Sequence, residues 1–80
     1  MFEQYVNSSD PQISTRAQQL QNYTNQYQSG QLSKSEYTEL CQDLCDLSQI
    51  DDLASTAEEK AELQQTFEQW LSIIEAVALV

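Results

Sequence analysis

The chain has 80 residues, 40% of them hydrophobic, and its 13 acidic groups outnumber 3 basic ones to give a formal net charge of -10. Such a charge repels nucleic-acid phosphates and anionic lipid heads, so direct DNA, RNA or membrane-surface binding is not expected. A chain of this length makes one domain with a thin core, and a single Gly and a single Pro among helix-compatible residues argue against general disorder.

In chain order, residues 1–9 carry Phe2, Tyr5 and Val6 ahead of the polar run Asn7-Ser8-Ser9, which reads as a short arm or a single helical turn. Asp10-Pro11 predicts a helix start, because an N-cap carboxylate accepts from free backbone amides and Pro at the first position needs no donor. Ile13, Ala17, Leu20, Tyr23 or Thr24, and Tyr27 recur at helical spacing, so the first helix spans 11–29. Gly30 fits a left-handed stop with Leu32 folding back onto the last turn. Ser33 and Glu36 then make a capping box that starts the next helix at once.

The second predicted helix, 34–49, buries Tyr37, Leu40, Cys41, Leu44 and Leu47. So short a connection pairs it with the first as an antiparallel hairpin. Ile50-Asp51-Asp52-Leu53 breaks the pattern. Ser55-Thr56 ahead of Glu58-Glu59 offers two overlapping capping boxes, opening a third helix over 56–79. Its stripe is Leu63, Phe67, Trp70, Ile74 and Val77, widened by Leu71 and Ala78. The expected fold class is all-α: a helical hairpin plus a third long helix, forming a small three-helix bundle with a short N-terminal arm.

Few residues invite chemistry. Cys41 and Cys45 share one side of the second helix, but there is no His to complete a zinc site and no base to activate a thiolate. Both are expected in the core. Asp43, Asp46, Asp51 and Asp52 cluster, yet the spacing lacks the Gly and the twelfth-position Glu of an EF-hand. Paired-carboxylate catalysis needs a pocket that a thin helical core rarely encloses. The expectation is therefore no enzyme activity, no catalytic residue, no cofactor, no metal and no small-molecule substrate.

Two surfaces suggest protein partners. By helical geometry Ile73, Ala76, Leu79 and Val80 point away from the core stripe of the third helix, so its end is apolar nearly all round and calls for cover from another chain. The second surface is the acidic stripe Glu36, Glu39, Asp43 and Asp46, which would suit a complementary basic patch or mimic a phosphate backbone. The leading expectation is a non-catalytic subunit that docks through the apolar end in a hetero- or homo-oligomeric assembly. The alternative is a small acidic inhibitor occupying a basic surface of a host enzyme or DNA-binding protein.

The stretch Leu20-x-x-Tyr23-x-x-x-Tyr27-x-x-Gly30-x-Leu32-Ser33-x-x-Glu36-Tyr37, followed by Leu44, resembles the short helical hairpin called SHOCT. That family has a Gly-apolar-apolar-Thr turn, then an acidic pair, an aromatic and leucines. Gly30, Leu32, Ser33, Glu36, Tyr37 and Leu44 match. Leu40 and Cys41 stand where the family has lysines, and this chain continues into another helix. The resemblance covers residues 20–44 and implies a helical association module. Small size and acidity are also similar in style to minor proteins of tailed bacteriophages, which would put the chain in a virion or the host cytoplasm. The start Met1-Phe2-Glu3-Gln4-Tyr5 has neither the basic nor the apolar region of a secretory signal, so a cytoplasmic location is expected. The stretch 71–80 is too short to span a bilayer and contains Glu75.

Overall fold

The computed structural model describes residues 2–79. Met1, at the head of the expected arm, and Val80, one of the expected docking residues, lie outside them. Among the described residues all regular structure is helical, so the fold is all-α. The elements are α1 (Glu3–Val6), α2 (Pro11–Gln28), α3 (Lys34–Leu44), a 3-10 turn (Leu47–Gln49), α4 (Ile50–Leu53) and α5 (Ala57–Ala78).

Local chemistry explains where each long helix starts. Asp10 accepts from the Gln12 amide at 2.9 Å, with Pro11 at the first helical position. At α3 the Glu36 amide donates to Ser33 Oγ at 3.1 Å while the Ser33 amide donates to Glu36 Oε1 at 3.0 Å, a complete capping box. Thr56 caps α5 by accepting from the Glu59 amide at 3.1 Å. Between α2 and α3, Gly30 has a φ of +84°, and its amide donates to Tyr27 O at 3.1 Å while that of Gln31 donates to Gln26 O at 2.8 Å. Those two bonds are a Schellman stop.

The pairing of α2 with α3 runs antiparallel. Tyr27 stacks on Tyr37 at 4.7 Å between ring centroids. Further down α2, Thr24 meets the Tyr37 hydroxyl at 2.9 Å. Thr24 Oγ1 already donates its hydrogen to Leu20 O at 2.8 Å, so Tyr37 is the donor in that pair. Both side chains are fully buried, so this is a satisfied polar link inside the core. Thr24 rather than Tyr23 thus takes the inward position on α2, with Tyr23 half-buried.

Helix α5 packs mainly on α3, with a smaller contact to α2. Leu63, Phe67, Trp70 and Ile74 are buried along it. Phe67 and Trp70 stack at 5.6 Å, and the Arg16 guanidinium of α2 lies 6.0 Å from the Phe67 ring centroid. Such a cation–π contact contributes on the order of 0.5–1 kcal/mol.

Two expectations need correction. The second helix does not run to residue 49. It ends at Leu44, because Asp46 leaves helical geometry (φ -71°, ψ 109°) and its carboxylate accepts from both the amide and the hydroxyl of Ser48, at 2.9 and 2.7 Å. This local turn outcompetes one more helical turn. Leu47 is consequently 41% exposed instead of buried, while Ile50 and Ala54 supply the core contacts. The segment Ile50-Asp51-Asp52-Leu53, expected as a break, is the helical turn α4.

The N-terminal segment, read as a short arm or a single helical turn, contains the single turn α1 and contributes to the core. Phe2 is fully buried and meets Trp70 edge-on at 6.3 Å, Tyr5 does the same at 5.4 Å, and the Tyr5 hydroxyl donates to Gln69 Oε1 at 2.9 Å. Ser14 ties the segment down by donating to Val6 O at 2.7 Å. The second correction concerns Ile73. Ile73 lies three residues after Trp70 and four after Gln69, hence on the α5 face that meets α1. It is half-buried and packed against the core, not an outward-facing docking residue.

Candidate docking groove

The C-terminal half of α5 lies beside α3. By helical spacing Lys34, Thr38 and Gln42 form one row of α3, and on α5 Leu71, Ile74, Glu75, Ala78 and Leu79 face them. Between the rows is a groove of about 280 Å³ whose surface is mainly apolar. Its floor is α5: Ile74 and Ala78 are buried there and Leu71 is half-buried. Leu79, the C-cap residue of α5, stands at the rim and is 81% exposed. An apolar side chain so exposed beside an apolar hollow has no cover among the described residues.

The two surfaces anticipated from sequence turn out to be neighbours. Of the apolar set, Leu79 and Ala76 are exposed, Ile73 is covered as described above, and Val80 lies outside the described residues. Of the acidic set, Glu36, Glu39 and Asp43 are exposed and Asp46 is half-buried. A second, shallower depression lined by Lys34, Ser35, Thr38, Glu39 and Gln42 shares its α3 row with the groove, so Glu39 lines the hollow next to the apolar one. Sequence reasoning missed Lys34, Thr38 and Gln42, since they become part of a surface only when α5 is laid alongside.

Two of the four acids have local structural duties. The amide and hydroxyl of Ser33 hold the Glu36 carboxylate below its usual range. The hydroxyl and amide of Ser48 do the same for Asp46. Only Glu39 and Asp43 remain as stripe members without a capping role.

Both cysteines are buried free thiols. Burial pushes the Cys41 thiol up to about 11 and that of Cys45 up to about 12, so at neutral pH each is a protonated small hydrophobe. Among the described residues no three carboxylate or thiol side chains gather closely enough to hold a metal ion. No helix among them is long and apolar enough to cross a membrane. In comparisons with known proteins, no family model, no curated protein and no solved structure matches this chain.

Proposed function

We propose that the chain is a non-catalytic protein-interaction subunit, which docks into a larger assembly through the α3/α5 groove and the exposed end of α5. The observation that carries this reading is Leu79, 81% exposed on the rim of an apolar hollow that runs between two helices. Burying such a side chain in a partner contributes roughly 1.5–3 kcal/mol before the costs of association. The chemistry available elsewhere agrees with a binding role: the thiols are buried and protonated, and the capped carboxylates are engaged by backbone amides.

In this reading α2, α3 and α5 work as a three-helix bundle that holds the groove open. The likeness of residues 20–44 to an association hairpin points the same way, and a tailed-phage particle is one assembly that the size and acidity suit. A partner captured from the native source provides the test. Leu79→Gln and Leu71→Gln should each weaken its binding about tenfold, while Asp43→Asn leaves it nearly unchanged.

A second reading, a soluble acidic inhibitor of a basic protein, rests on exposed Glu39 and Asp43 in a chain of formal net charge -10. It expects the opposite outcome of the same experiment, with Asp43→Asn the damaging change and both leucine variants harmless.

A further inference from the structure

We infer that the occupant of the α3/α5 groove is a basic amphipathic helix, which places an apolar side chain against Leu71, Ile74 and Leu79 and Lys or Arg residues against the flanking acids. The inference rests on the docking function proposed above and adds the chemistry of the partner. Helix-in-groove recognition requires an apolar trough between two helices, and the hollow between α3 and α5 supplies one of about 280 Å³, room for an anchor side chain.

Charge then selects among amphipathic helices. Glu75 lines the groove on the α5 side, and Glu68 is exposed two helical turns earlier on the same edge. On the α3 side Glu39 lines the adjoining depression. Lys34, at the first position of α3, is the one cation lining either hollow. An entering helix therefore meets Glu75 on the α5 wall, with Glu68 along the same edge and Glu39 beyond the α3 row, in a chain of formal net charge -10.

A second copy of this chain would also offer an exposed Leu79 to the hollow. It would, however, bring a further formal charge of -10 against a chain that is already acidic, and like charges facing each other oppose association. A basic partner gains where a second copy loses.

The test uses the full chain and four synthetic helical peptides, with binding followed by fluorescence anisotropy at low and high salt. The first peptide is Leu/Lys with its leucines on one face. The second has the same composition scrambled so that no apolar face forms. In the third and fourth, Gln and Glu replace Lys. The Leu/Lys amphipathic peptide should bind at least tenfold more tightly than the other three. Leu79→Gln should weaken it roughly tenfold, and the pair Glu39→Gln with Glu75→Gln about three- to fivefold, with the salt dependence reduced in the latter. Leu79 lies beyond the last residue of α5 and is exposed, so its replacement leaves the core intact.

Equal binding of the Leu/Gln peptide, lost on Leu79→Gln, would overturn the basic partner while upholding docking in the groove. Equal binding of the scrambled peptide, or tight binding unaffected by Leu79→Gln, would overturn both. Sedimentation of the chain alone as a dimer that Leu79→Gln dissolves would assign the groove to a second copy and overturn the inference.

Discussion

Gly30 has a φ of +84°, and a Cβ built there would meet nothing within 4 Å. The demand for glycine is therefore purely conformational: the left-handed backbone, not crowding, penalises a side chain. Gly30→Ala should cost about 1 kcal/mol and Gly30→Val somewhat more, read as a lower urea midpoint with an unchanged slope. A variant as stable as the parent would mean that the Schellman stop is not needed to end α2. The Thr24–Tyr37 pair makes a sharper comparison. Thr24→Val leaves the buried Tyr37 hydroxyl without its acceptor, for a loss of about 1–3 kcal/mol. Tyr37→Phe leaves Thr24 bonded to Leu20 O and should cost about 1 kcal/mol or less beyond any repacking. Denaturant midpoints that reverse this order would contradict the donor assignment.

At the scale of elements, α1 is the least conspicuous segment and one of the more consequential. Tyr5 of this four-residue helix and Phe2, the residue that precedes it, close over Trp70. Phe2→Ala should cost about 3 kcal/mol and shift Trp70 fluorescence to longer wavelength as its apolar cover is lost. An unchanged spectrum and midpoint would show that α1 is dispensable. The sequence made the starts of α2, α3 and α5 legible because Asp10, Ser33 and Thr56 act on amides within a turn of themselves. The end of α3 was harder to read. Apolar spacing continues through Leu47, whereas the deciding event is the carboxylate of Asp46 turning back on Ser48. For α1, Phe2, Tyr5 and Val6 do carry helical spacing, but so few residues hold little periodic signal, and their partner Trp70 is remote in sequence.

At the scale of the whole molecule, titration of the core sets an alkaline limit. Burial raises Cys41 from 9.0 to about 11, Cys45 from 9.0 to about 12 and Tyr37 from 10.0 to about 12. An unfolded chain releases these protons at the ordinary values while the folded chain retains them. The stability they support is therefore complete below about pH 9 and declines as pH rises toward 12. Thermal melts between those limits should show a steady fall in midpoint, and a midpoint constant to pH 11 would mean that the thiols and phenol are open to solvent. The groove also belongs to this scale, and for that reason only half of it was legible. Leu79 announces itself as an apolar residue off the core stripe, but Lys34, Thr38 and Gln42 join the surface only through the antiparallel placement of α3 and α5. On the other side of α5, packing against the core half-buries Ile73, which helical geometry alone left outside.

Docking of a partner in the α3/α5 groove is open to test by amide chemical-shift mapping of the labelled chain titrated with the captured partner. Perturbations should concentrate at Lys34, Thr38 and Gln42 on α3 and at Leu71, Glu75, Ala78 and Leu79 on α5, with the α2 face around Gln18 and Asn22 unmoved. Perturbations centred instead on Asp51, Asp52, Glu58 and Glu59, with the groove residues silent, would contradict it.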